Sequence, residues 1–87
     1  MAYRIELRPA ARKAIESLNK QDFLRIRKAI DNLSLDPRPK GSAKLSEIEA
    51  CRIRVGAFRI IYMISDKDLT ILILKIGDRK DIYRSLR

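Results

Sequence analysis

The sequence predicts an α+β domain. Its elements are an N-terminal strand, an antiparallel two-helix hairpin, a three-stranded antiparallel meander that completes a four-stranded sheet, and a short C-terminal helix. Three observations lead there. Tyr3, Ile5 and Leu7 alternate with Arg4, Glu6 and Arg8, the period of a strand with one buried face. Ala11, Ala14, Ile15 and Leu18, and then Phe23, Ile26, Ile30 and Leu33, recur at helical spacing. Stretches 50–55, 58–64 and 69–76 are dense in β-branched and apolar residues, with short polar or glycine breaks between them.

Each element has its own local reason. The first strand covers 3–8 and ends at Pro9, which suits the first turn of a helix because its missing N–H has no intrahelical partner to lose. The helix that follows runs for about three turns. Residues 19–22 supply polar turn and capping groups before the second amphipathic stretch, and so short a link makes the two helices an antiparallel hairpin. Asp36 precedes Pro37 and avoids the α region, which stops the second helix, and 37–42 forms a loop. Gly56–Ala57 is a two-residue hairpin turn of type II′, which requires glycine at its first central position. The last strand is apolar at nearly every position, as expected when both its faces are covered. After Gly77, Asp78 and Asp81 are spaced to cap the short C-terminal helix.

A chain of 87 residues is one domain, 1–87, since it is too short to divide its apolar residues between two stable cores. Its formal charge is +9, with ten basic and five acidic residues in 1–40 and ten and six in 41–87. The charge therefore belongs to the folded body rather than a tail, and a polyanion, an acidic protein or an anionic membrane surface are the partners it fits. With no histidine and only Cys51, a cysteine metal cluster and a Ser/His or Cys/His nucleophile are excluded and most zinc and iron sites are removed; no metal or cofactor is expected, and Cys51 reads as a small core residue. The apolar runs 60–64 and 71–74 are far short of the ~20 residues that cross a bilayer, and the start of the chain carries no apolar signal segment, so a cytoplasmic protein with no membrane partner is expected.

The most informative stretch is 51–62. With Gly56–Ala57 as the turn, Val55 faces Phe58, Arg54 faces Arg59, Ile53 faces Ile60 and Arg52 faces Ile61. Ile53, Val55, Phe58, Ile60 and Tyr62 then point into the core, and Arg52, Arg54 and Arg59 share the opposite face with Ile61 and Met63. Opposed like charges destabilise a hairpin unless an anion lies between them, and guanidinium forks match phosphate oxygens. A solvated face, or one that meets a partner's acids, is the plainer alternative. Arg79 and Tyr83 project from one side of the C-terminal helix and are positioned to complete a cleft, although spacing alone favours simple pairing of Asp78 or Asp81 with Arg79 or Arg84.

The order of strand, helical hairpin, Ala43-Lys44-Leu45, Cys51-Arg52-Ile53-Arg54-Val55-Gly56, Phe58-Arg59-Ile60-Ile61-Tyr62 and Ile76-Gly77-Asp78-Arg79-Lys80-Asp81-Ile82-Tyr83 resembles the RelE/ParE toxin superfamily over essentially the whole chain, with an ending closer to RelE. The resemblance implies a RelE-like fold and the toxin of a type II toxin–antitoxin pair. It further implies a ribosome-dependent, metal-independent endoribonuclease that cuts mRNA in the A site through attack of a 2′-hydroxyl on the adjacent phosphate. Carried over by position, the catalytic set is Arg52, Arg54, Arg59, Arg79 and Tyr83, with Lys44 and Arg38 as RNA contacts; the partners are ribosome, mRNA and a separate, acidic antitoxin. Well-studied members of that family carry lysines where this chain has Arg52 and Arg54. Arginine stays protonated, so these two read as electrostatic clamps, with the proton passing to Tyr83 or a ribosomal group, or with catalysis resting on alignment. The alternatives from other classes are a ParE-like inhibitor of DNA gyrase without nuclease activity and a non-catalytic RNA- or partner-binding module.

Overall fold

A computed structural model describes residues 2–78. In chain order the elements are β1 (Arg4–Leu7), α1 (Pro9–Glu16), α2 (Lys20–Leu35), β2 (Ala43–Lys44), β3 (Cys51–Val55), β4 (Phe58–Ser65) and β5 (Thr70–Gly77). The helices and the β3–β4–β5 meander follow the sequence reading. The strand count does not: the sheet has five strands in the order β1-β5-β4-β3-β2 rather than four. The additional strand, β2, is two residues long, too short to carry any alternation that a sequence pattern could reveal. It pairs with β3 across Ala43↔Arg52 and Lys44↔Cys51, and Leu45 N–H donates to the Ala50 carbonyl at 2.9 Å to close the loop behind it.

The sheet is mixed, because β1 runs parallel to β5 while the other pairs are antiparallel. The helical hairpin carries the chain over one face between β1 and the rest of the sheet. It is tied back at the start of β1, where Tyr3 N–H donates to the Ser34 carbonyl at 2.8 Å and Ser34 Oγ donates to the Tyr3 carbonyl at 2.6 Å.

α1 has Pro9 in its first turn and is eight residues long, shorter than the three turns expected: the Ser17 N–H and hydroxyl both turn back to the Ala14 carbonyl, and the helix closes there. α2 begins at Asn19, whose side chain accepts from Asp22 N–H at 2.8 Å, and ends at Asp36, held at φ −144° and ψ 93° by the proline that follows. The C-terminal helix expected after Gly77 lies outside the described residues.

Between the helices and the sheet lies the main core, built on Ala11, Ile26, Leu33, Ile60, Tyr62, Ile71 and Ile73, all fully buried. A smaller cluster occupies the other face, where Ala50 and Ile61 are packed by Leu45, Ile48 and Leu74. A bulge makes this second cluster possible. Ile61 pairs with Lys75 but Tyr62 pairs with Ile73, so β5 carries one extra residue, Leu74, which joins Ile61 beside Lys75. This is why β5 is apolar almost throughout: it has a core to fill on each side.

Exposed polar groups also organise the end of the sheet away from the β3–β4 turn. Tyr3 donates its hydroxyl to Asp66 Oδ1 at 2.6 Å, and Arg38 forks onto the same carboxylate at 2.9 and 3.4 Å, so that β1, the loop after α2 and the β4–β5 turn meet at one residue. The Arg38 and Tyr3 donors hold the Asp66 carboxyl below its ordinary pKa. A depressed folded pKa means that the clasp's contribution to stability is complete above the unfolded pKa and is lost as pH falls through the folded one. Thermal unfolding of Asp66→Asn therefore shows a lower Tm than the parent at about pH 7, and the gap narrows as the pH is taken down towards about 2. An equal gap at both pH values would show that Asp66 acts through something other than its charge.

Candidate nucleic-acid interface

The β3–β4 register is the one the sequence predicts: Val55↔Phe58, Arg54↔Arg59, Ile53↔Ile60 and Arg52↔Ile61. Gly56 at the turn has φ 60° whereas Ala57 keeps a negative φ, the type II′ combination, and a side chain at Gly56 would be strained. Facing residues share a side of the sheet, so Arg52, Arg54 and Arg59 stand together opposite the helices, with Cβ atoms of a directly facing pair about 5 Å apart. Ile53, Ile60 and Tyr62 sit in the main core, with Val55 and Phe58 packed against it.

Among the described residues none of these three arginines forms an ion pair. Arg54 is exposed. Arg52 and Arg59 are half-buried, and the Nε atom of each is enclosed without a hydrogen-bond partner among the described residues. A buried donor left unmade costs about 1–3 kcal/mol, and facing like charges add to that cost. The protein thus holds three guanidinium groups on a hydrophobic base formed by Ile61 and its cluster, with donor capacity that the described side chains leave unused. An oxyanion with several acceptor oxygens fits that arrangement.

The other residues singled out in the sequence fall elsewhere. Lys44 shares register with Cys51, on the side of the sheet opposite Arg52, and pairs with Glu49 at 3.5 Å. Arg38 is engaged in the Asp66 clasp. Cys51 is a free thiol packed against the main core, as its composition reading expected. Arg79 and Tyr83 lie outside the described residues.

Two basic residues missed by the sequence reading border this face. Lys75 is the β5 partner of Ile61, in the same cross-strand row as Arg52, and only the bulge reveals which way it faces. Arg25 of α2 reaches the hairpin tip, its guanidinium 3.6 Å from where a Cβ on Gly56 would lie. Nothing in the spacing of α2 signals that approach.

Among the described residues no group of three His, Cys, Asp or Glu side chains is placed to hold a metal ion, and no helix is long and apolar enough to cross a membrane.

Comparison with known proteins gives the chain its relatives. The family described as ParE toxin of type II toxin–antitoxin systems, parDE, matches residues 5–83. An Escherichia coli protein described as a RelE-like toxin is 32% identical over 95% of this chain and 92% of its own length. Toxin RelG of Mycobacterium tuberculosis is 29% identical over 97% of this chain and 99% of its own. Among solved structures, an archaeal RelE–RelB complex from Pyrococcus horikoshii matches with a TM-score of 0.80 and 32% identity, over 92% of this chain and 98% of that one. With the mixed sheet, the helical hairpin and the arginine-bearing β3–β4 turn in place, the chain belongs to the RelE/ParE superfamily of type II toxin–antitoxin toxins, on its RelE-like side.

Proposed function

We propose that the protein is a ribosome-dependent endoribonuclease that cleaves mRNA in the A site without a metal ion, and that the arginine face holds the scissile phosphate. The observation that supports this is the pair of enclosed Nε atoms on Arg52 and Arg59, without a partner among the described residues, beside the exposed Arg54. In the reaction the 2′-oxygen of the message forms a bond to the adjacent phosphorus and loses its proton. The bond from phosphorus to the 5′-oxygen of the next nucleotide breaks, and that oxygen takes a proton, leaving a 2′,3′-cyclic phosphate and a 5′-hydroxyl. Because the nucleophile belongs to the message, the protein's share is alignment, charge and proton transfer. Arg59 and Arg79 stabilise the charge that develops on the phosphate oxygens, Arg52 and Arg54 clamp the strand, and Tyr83 stacks on a base or moves a proton. Lys44 and Arg38 are peripheral RNA contacts, each already shared with an acid.

A cognate antitoxin, acidic and laid across the basic face, completes the system. The Pyrococcus horikoshii relative was solved as a complex with RelB, which supports such a partner here.

The test adds purified protein to ribosomes programmed with a short message. Cleavage within the A-site codon is expected, and Arg79→Ala loses most of it while remaining folded. Absence of cleavage by the wild-type protein overturns the reading. The description of the matching family as ParE favours one alternative, inhibition of DNA gyrase. That reading predicts loss of supercoiling with intact message, and toxicity that survives replacement of the face arginines.

A further inference from the structure

On the same sheet face as the arginines lies a cleft of about 490 Å³, within the range of small-ligand pockets. Met63 and Leu74 form its floor, Ile48 and Glu49 come from the loop before β3, and Arg8 and Lys75 supply its cations. We propose that this cleft is a second RNA subsite, which takes the phosphate and base of a nucleotide next to the one held by Arg52, Arg54 and Arg59. The inference rests on the RNA-cleaving reading above and adds to it a place for the neighbouring nucleotide.

Three features carry it. The first is continuity: Arg52, Ile61 and Lys75 occupy one cross-strand row, so Lys75 lies two strand spacings from Arg52, about 10 Å away, a gap that an extended strand bridges with its next nucleotides. The second is charge. Among the described residues neither Arg8 nor Lys75 has an ion pair, although Lys75 is half-buried, while the single acid of the cleft, Glu49, is paired with Lys44. A further cleft on this face, of about 440 Å³, also contains Met63 but is lined by Glu6 and Asp68 with Arg4, and Arg4 already pairs with Glu6; its charge does not favour a phosphate. The third is composition. An apolar floor beside two cations is what a nucleotide requires, a surface for the face of the base and donors for its phosphate, and it imposes no sequence choice.

The cations are also separable from the fold. Arg8 holds its place through its backbone N–H, which donates to the Ile73 carbonyl at 2.9 Å, so truncation of its side chain leaves that bond intact.

The experiment measures binding of a fluorescein-labelled single-stranded hexanucleotide RNA by anisotropy, from about 50 to 200 mM salt, for wild type, Arg8→Gln, Lys75→Gln, the double variant and Arg54→Gln. Thermal unfolding of each variant serves as the control for folding. Each single replacement in the cleft is expected to weaken binding and flatten the salt dependence of log K by about 0.7, and the double replacement by about 1.4. A dinucleotide with one phosphate is expected to bind the cleft variants as it binds wild type.

Unchanged hexanucleotide binding by the cleft variants, with weaker binding by Arg54→Gln, overturns the second subsite and leaves the scissile-phosphate site standing. RNA binding that none of the variants alters overturns both. Loss of affinity for an acidic protein partner alone, with RNA affinity intact, also overturns the proposal and makes the cleft a protein surface.

Discussion

Arg59→Ala is expected to lower the rate of message cleavage on programmed ribosomes by about 10²- to 10³-fold, equivalent to about 3–4 kcal/mol of transition-state stabilisation, while the protein becomes no less stable. The two halves of this result have one cause. Arg59 faces Arg54 across the hairpin and keeps an enclosed Nε without a partner among the described residues, so it is a source of repulsion and, within that set, of unmet hydrogen bonding. Both conditions reverse once a phosphate lies between the two guanidinium groups, and the reversal is largest when negative charge builds on its oxygens. Removal of the side chain therefore relieves the free protein by about 0.2–1 kcal/mol of facing charge and deprives the transition state of a preformed donor. Single-turnover cleavage and a thermal melt on the same preparation check both halves. Wild-type cleavage by Arg59→Ala would remove this residue from the phosphate site, and a large drop in Tm would mean that it is a structural residue.

Tyr62→Ala is expected to cost about 3–5 kcal/mol, much of the stability available to a domain of this size. Tyr62 is fully buried on the central strand β4, and its hydroxyl donates to the Pro37 carbonyl at 2.8 Å, which fixes the loop after α2 to the sheet. Burial pushes its phenol up to about 12, with the nearby Cys51 adding to the effect, so the hydroxyl remains a donor across the working range. Tyr62→Phe separates the two contributions: it retains the ring and loses about 1 kcal/mol. Urea unfolding of both variants tests this. A Tyr62→Phe loss as large as that of Tyr62→Ala would place the energy in the hydroxyl rather than the ring.

The legibility of the fold varied with the reach of the interaction that forms each element. β1, α2 and the β3–β4 hairpin were readable because a local rule governs each: alternation at Tyr3–Leu7, an Asn19 cap with a 3-4-3 apolar stripe, and a glycine able to take positive φ at position 56. The turn in turn fixed the register, and the register placed Arg54 opposite Arg59. β2 escaped notice because two residues hold no period, and its existence depends on β3 as a partner.

For the candidate site, the same division separates the arginines of the hairpin from their surroundings. Side-chain alternation along paired strands made the clustering of Arg52, Arg54 and Arg59 visible in the amino-acid order alone, and the net charge of +9 was legible there too. Long-range packing settled the rest. The parallel pairing of β1 with β5 brings Arg8 towards the arginine face, the bulge at Leu74 turns Lys75 to the same side, and helix packing carries Arg25 to the hairpin tip. It also binds Arg38 to Asp66 and sets Lys44 on the opposite side of the sheet from Arg52. These positions depend on residues tens of positions apart meeting across a sheet, and such meetings follow from the closure of the core, which no local spacing records.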